Sequence, residues 1–333
     1  MLQQLLLAAW AIALALGLSA GFYIGANLLL DKLMSSERIT DDDARTRRDN
    51  IREAIRPWIF VGPALLVLTL YLIAPVFYTF WLSLQSRTGF VGFANYAWAF
   101  NNSGFRISVR NNLLWLIVVP TMSTIFGLLV AYLTDRMWWR NIARSLIFLP
   151  MAISFVGASV IWRFIYDYRG PDADQIGLLN AVIVSLGGTP HAWIAMPFWN
   201  NFLLMAIMVW IQTGFAMVLL GAAIRGVPED TLEAASMDGA SETRVLFKIV
   251  IPQIWGTILV VWTTITVLVL KIFDVVLAMT NGQWETQVLA NLMYDVMFRA
   301  GDFGRGSTVA VFIMLAVLPV MWWNVSNARK EMS

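Results

Sequence analysis

The sequence predicts an all-α polytopic membrane protein with about seven transmembrane helices, and two observations carry that reading. First, 59% of the 333 residues are hydrophobic and only 13% are charged, where soluble domains carry about 25% charged residues. The mean hydropathy is +0.69. So few charges cannot cover the surface of a soluble protein of this length. Second, the charges leave long gaps. Residues 1–30, 57–86, 111–134, 145–162, 175–224, 249–270 and 306–328 hold no Asp, Glu, Lys or Arg. A helix needs about 20 apolar residues to cross a hydrocarbon core of about 30 Å. Backbone polar groups must be satisfied inside lipid, so spans of this length are helices. They are expected at about 4–30, 58–84, 111–133, 145–165, 199–224, 254–279 and 306–324.

The first span lacks a basic leader, since Met1 is followed by Leu-Gln-Gln. Its apolar run exceeds the 7–15 residues of a signal-peptide core, so an uncleaved helix over 1–30 is expected. Residues 31–57 hold seven acidic and seven basic residues and read as a charged linker or short surface helix. The balance argues against a polybasic lipid patch. The transmembrane domain proper is expected over 58–330.

Lys and Arg counts orient the spans. Segments 31–57, 134–144, 225–253 and 325–333 hold fifteen, while 85–110, 166–198 and 280–305 hold six. The richer side is expected to be cytoplasmic. That places the N-terminus outside and the C-terminus inside.

The chain has no cysteine, which excludes disulfides, thiolate metal sites and cysteine nucleophiles. Its one histidine, His191, lies in an outside loop with no metal-ligating or triad partner near it in sequence, so no metal site is expected. An enzyme embedded in the membrane would find little material here. No G-x-x-x-x-G-K-[ST] loop is present to hold nucleotide phosphates.

Residues 228–252 form a polar island between the fifth and sixth spans. Pro228 suits the first position of a helix, and Glu229 and Asp230 favour its first turn through the helix dipole. Leu232, Ala234, Ala235 and Met237 are good helix formers. Gly239 can end the helix in a left-handed cap. Ser241 can cap a second helix, whose Val245, Leu246, Ile249 and Val250 form an apolar stripe. Pro252 interrupts the hydrogen bonding where the chain turns into the sixth span.

This island carries Glu233-Ala234-Ala235, then Asp238-Gly239, then Ile249 and Pro252. The pattern resembles the EAA loop of permease subunits in ABC importers, with Ile251 where the family usually has leucine. The resemblance implies a six-helix importer core plus one extra N-terminal helix in the bacterial cytoplasmic membrane. It makes Glu233, Ala234, Ala235, Asp238, Gly239, Ile249 and Pro252 the coupling residues. It also implies a second permease subunit, two ATP-binding subunits that hold ATP and magnesium, and an extracytoplasmic sugar-binding protein. The chain itself is then a transporter subunit without enzymatic activity, and no cofactor or nucleic acid is expected on it. Residues 90–96 (FVGFANY), 110–113 (RNNL), 177–180 (GLLN), 270–274 (LKIFD), 280–282 (TNG) and 302–304 (DFG) resemble stretches of the carbohydrate-uptake branch, of maltose and α-glucoside type. Ion-coupled transport and a non-sugar cargo are the competing readings. No lone acid lies mid-span to support the first.

A sugar path needs hydroxyl-pairing groups and flat aromatic faces. Trp210, Gln212, Thr213 and Phe215 in the fifth span are the candidates, with Asn200 and Asn201 at its outer end. The sixth span offers Thr263, Thr264 and Thr266. Met208, Ile265 and Val269 stand where maltose-type permeases present asparagine and glycine, so either the sugar site differs or the partner permease supplies most of it. Lys271 and Asp274 are spaced to pair near the outer end of the sixth span, as are Arg163 and Asp167 at the end of the fourth. Trp162, Trp193, Trp199, Trp322 and Trp323 are expected in the interfacial aromatic belt.

Overall fold

A computed structural model describes residues 2–35, 42–135 and 137–332. The chain divides into two compact units, residues 1–78 and 79–333.

In the first unit, helix α1 (Leu2–Leu33) is apolar on every face, as a membrane span should be. Helix α2 (Asp42–Leu68) opens with Asp42 and Asp43 in its first turn, where the helix dipole favours them. The charged segment expected as a linker is therefore helical from Asp42 and runs on into the apolar stretch. Arg56 donates to Asp31 at 2.7 Å, Arg52 lies 4.0 Å from the same carboxylate, and Arg48 donates to the Leu33 carbonyl. Tyr23 stacks on Phe60 at 5.4 Å. After a π-turn at Thr69–Ile73, α3 (Ala74–Ser83) straddles the unit boundary.

In the second unit, a short hairpin pairs β1 (Gln85–Ser86) with β2 (Gly89–Phe90). Helix α4 (Ala94–Asn101) follows. Helix α5 (Ser103–Thr134) starts where the Asn102 side chain accepts the Phe105 N–H at 2.9 Å. Helices α6 (Arg140–Phe148) and α7 (Phe155–Ile165) are bent by 106° around a 3₁₀ turn at Leu149–Ala152. Helix α8 (Leu178–Ser185) lies in the next loop, and α9 (Trp199–Arg225) is the fifth span. Helices α10 (Glu229–Met237), α11 (Glu242–Val245) and α12 (Ile251–Gln253) build the polar island. Helices α13 (Trp255–Leu270), α14 (Asp274–Met279), α15 (Leu289–Tyr294) and α16 (Phe303–Met332) complete the chain. Among the described residues, five helices are long and apolar enough to cross a membrane, or seven when each of two bent pairs counts as one span.

The core lies where α5 and α9 pack together, with Trp115, Val119, Leu204, Met205, Met208 and Ile265 buried between their neighbours. Without a hydrophobic driving force in lipid, such packing depends on small residues that let backbones approach. A Cβ at Gly127 would stand 2.3 Å from that of Ala216, and one at Gly214 would stand 2.8 Å from the Ile147 carbonyl.

Two expected spans are not single helices. Pro150 lacks the N–H that would continue α6, and the Ser154 hydroxyl restarts the helix by accepting the Gly157 N–H at 3.1 Å. The sixth span ends at Leu270, not 279. The Leu270 carbonyl, which a continuing helix would offer to Asp274, instead lies 3.4 Å from the Asn112 amide nitrogen.

Candidate functional site

The polar island folds as a helix, a tight turn and a bent second helix. Pro228 sits one residue before α10, as its cap, and not at its first helical position. At the other end, Ala240 N–H bonds Ala235 O and Gly239 N–H bonds Ser236 O, both at 3.0 Å. This is the Schellman arrangement, with Gly239 at φ +75°. Ser241 occupies the next cap position, but its hydroxyl makes no cap bond and lies 3.3 Å from that of Thr243. Helix α11 runs through a π-turn at Leu246–Val250 into α12, and the chain then bends 74° into α13. Pro252 lies just before that bend.

The island is anchored on its inner face. Leu246 and Val250 are buried with Val227 and Ile254, against Leu128, Tyr132 and Leu232. The Tyr132 hydroxyl donates to the Glu242 carbonyl at 3.2 Å. Asp135 gathers Arg144 from α6 and Arg225 from α9, so three span ends meet beside the island. Ile249 is half-buried and stands outside that cluster. The outer face is open: Glu229, Asp230, Glu233, Ala234, Asp238, Gly239 and Pro252 are exposed, and Ala235 is half-buried. Met237 is 89% exposed, an apolar side chain that sequence reasoning counted only as a helix former.

A second polar cluster lies at the opposite ends of α5 and α9. Residues Asn281, Gly282, Trp284 and Glu285 all have positive φ. The Asn111 amide donates to the Glu285 and Gln287 carbonyls at 2.7 and 2.8 Å. The Asn200 amide donates to the Trp284 carbonyl at 2.8 Å, and Asn201 reaches that of Glu285 at 3.4 Å. Arg110 pairs with Glu285 at 3.1 Å. Asn200 and Asn201, read as flanking a sugar path, thus hold backbone in place.

The substrate-path candidates are not brought into one site. Trp210 and Thr213 line a groove of about 520 Å³ with Phe126, Val130, Leu146 and Ile147, and the Thr213 hydroxyl is taken by the Val209 carbonyl. Phe215 packs on the core. Gln212 is 7% exposed, and its amide has no hydrogen-bond partner among the described residues. Thr263, Thr264 and Thr266 each donate to a carbonyl four residues earlier. The expected ion pairs do not form. Lys271 and Asp274 are both exposed at the helix break, Lys271 facing Phe273 and Tyr294 in a separate cavity. Asp167 lies 3.7 Å from Arg169 and not against Arg163.

Two of the tryptophans expected in the aromatic belt are engaged by other side chains. Trp162 lies between Tyr166 and Trp210, tilted against the first at 5.3 Å and edge-on to the second at 5.8 Å, and the Trp193 indole donates to Asn180 at 2.8 Å. Trp199 and Trp322 are exposed as a belt requires, while the Trp323 side chain lies outside the described residues. Among the described residues no group of three His, Cys, Asp or Glu could hold a metal.

Residues 123–330 match the family described as binding-protein-dependent transport system inner membrane component. An α-glucoside transport system permease protein of Rhizobium meliloti is 59% identical over 333 residues, 99% of each chain. An osmoprotective compounds uptake permease protein of Synechocystis is 51% identical over 276 residues, 82% of this chain and 99% of its own. A trehalose/maltose transport system permease protein of Thermococcus litoralis is 27% identical, covering 87% of this chain and all of its own. Among solved structures, a bacterial ABC transporter involved in alginate import superposes with a TM-score of 0.72. It covers 84% of this chain and 99% of its own at 19% identity, which speaks for the fold.

Proposed function

Because the chain belongs to the family of binding-protein-dependent transport system inner membrane components, it is a permease subunit of an ABC importer, and we propose that its cargo is an α-glucoside. Identity of 59% along the whole chain to an α-glucoside permease carries the cargo reading. The partners we propose are a second permease, two ATPase subunits and an extracytoplasmic sugar-binding protein. ATP and its magnesium bind the ATPase subunits, since this chain has no phosphate-binding loop. The polar island then faces the cytoplasm, with the N-terminus outside and the C-terminus inside.

In this reading α10 is the coupling element. An ATPase surface receives its exposed acidic face, with Met237 as the apolar anchor. Moving α10 moves α9 and α13, because the chain enters the island from one and leaves it into the other. Glu233→Lys is expected to uncouple ATP hydrolysis from uptake while the complex stays in the membrane. A variant that still couples normally removes the island from this role.

Gln212 is the residue we place on the cargo path. Its amide has no partner among the described residues and keeps some accessible surface, and a sugar hydroxyl would pair with it. Met208, Ile265 and Val269 are buried and apolar, so most sugar contacts come from the partner permease. Trp210, Thr213, Phe215, Lys271 and Asp274 stay as secondary candidates.

The test is uptake by the reconstituted complex, energised by ATP, of labelled maltose, sucrose and trehalose. The relative for osmoprotective compounds supports a second reading, so glycine betaine belongs in the panel. Uptake of betaine alone would overturn the sugar reading. Collapse of ion gradients with ATP maintained should leave uptake running, and its arrest would point to an ion-coupled carrier.

A further inference from the structure

At the end of α9 opposite the coupling island, Arg163, Tyr166, Asp167, Trp193, Met279 and Trp284 line a cavity of about 270 Å³. Nothing in the permease mechanism above uses it. Its size is close to the lower bound of roughly 300 Å³ for small-molecule sites, which suits one or two sugar rings.

The lining has the chemistry of a carbohydrate site. The Trp284 indole offers a flat apolar face to the C–H face of a pyranose, while the polar tips of Trp193 and Tyr166 are committed to Asn180 and the Leu203 carbonyl and hold those walls in place. The Arg163 guanidinium is exposed and has no ion pair among the described residues. Asp167 is held only by Arg169, at 3.7 Å. One free cation and one accessible carboxylate bracket a neutral polyol without favouring a net charge.

The geometry of Trp284 is the second observation. It is 45% exposed, yet its backbone sits at φ +52°. A bulky residue there is strained, and such outliers persist only where the surroundings impose them. Here the fully buried Asn200 takes the Trp284 carbonyl at 2.8 Å. Asn111 and Asn201 hold the next carbonyl, that of Glu285. Three buried amides thus fix a strained loop whose tip presents an indole to a cavity. Below it, Tyr166 is locked by its hydroxyl bond to the Leu203 carbonyl at 3.1 Å and packs tilted against Trp162 at 5.3 Å. The walls are therefore preorganised.

We propose that this cavity is an outer subsite for a neutral sugar, stacked on Trp284 and hydrogen-bonded by Arg163 and Asp167 before it enters the membrane path. The proposal rests on the α-glucoside reading for its ligand class, but it is tested by binding and not by transport.

The experiment is ligand-observed saturation-transfer NMR on the assembled importer in nanodiscs, without the sugar-binding protein, using maltose, sucrose and trehalose in turn. The wild-type complex should saturate at least one sugar. Trp284→Ala and Arg163→Gln should lower that signal at least fivefold, and Trp284→Phe, which keeps a ring face, should retain most of it. Unchanged ATP hydrolysis in each variant shows that the complex is intact. Signal absent from the wild type with all three sugars overturns the subsite even where uptake succeeds. So does signal in Trp284→Ala equal to wild type. Failure of uptake with binding retained overturns the cargo reading and leaves the subsite standing.

Discussion

Met237 shows how much one side chain can say. A methionine left 89% exposed on a helix whose neighbours are Glu233 and Asp238 is out of place against water, but not against a partner with an apolar pocket. Truncation of such an anchor costs about 1–2 kcal/mol of association, a loss of roughly tenfold in affinity at 1.4 kcal/mol. Met237→Ala should therefore weaken binding of the ATPase subunits about tenfold in a titration of the purified permease pair, with no change in its thermal unfolding. Gly127 makes the opposite kind of statement. Its hydrogen faces the Ala216 Cβ, and any larger side chain would collide with the α9 backbone, 2.9 Å away. Gly127→Leu should separate α5 from α9, lower the melting temperature of the detergent-solubilised complex and reduce its level in the membrane. Normal melting of that variant would mean that the two helices do not depend on this contact.

At the scale of the element, the turn after α10 depends on one backbone angle. Gly239 stands at φ +75° with no atom near its missing Cβ. The penalty for another residue is therefore conformational alone, about 1–2 kcal/mol. Gly239→Val should fray the last turn of α10 and lower ATP-driven uptake severalfold, while Gly239→Asn, which tolerates the left-handed region, should keep most of it. Equal activity of the two would show that the cap is not needed. This turn was legible in the sequence because glycine after a run of helix formers has one common use. The breaks at Pro150 and Lys271 were less so. Proline within a span is compatible with a continuous helix, as Pro120 in α5 shows, so Pro150 by itself does not announce a bend. The end of α13 at Leu270 depends on Asn112, 158 residues away in the chain. Local spacing therefore suggested a Lys271–Asp274 pair on a helix that ends before it, at Leu270. The anchoring role of Asn200 and Asn201 is equally hidden in the sequence, because the carbonyls that occupy them belong to a loop 84 residues on.

For the whole molecule, sidedness decides whether the island and the outer cavity can have their proposed roles. Within the second unit the two lie at opposite ends of α9: the island follows Arg225, while Asn200 holds the cavity loop. One of them must therefore face the cytoplasm and the other the outside. The excess of Lys and Arg, fifteen against six, argues for the island inside. The chain has no cysteine, so a single introduced thiol reports its own side without background. His191→Cys lies in the exposed loop beside the cavity and Ser236→Cys on the exposed face of α10. In intact spheroplasts a membrane-impermeant maleimide should label His191→Cys and spare Ser236→Cys until the membrane is permeabilised. Gln3→Cys near the start of α1 should behave like His191→Cys. The reverse pattern for the first two would put α10 where no cytoplasmic ATPase can reach it, and the coupling role would fall with the orientation. Labelling of Gln3→Cys only after permeabilisation would leave the importer core in place and remove the extra crossing from its front.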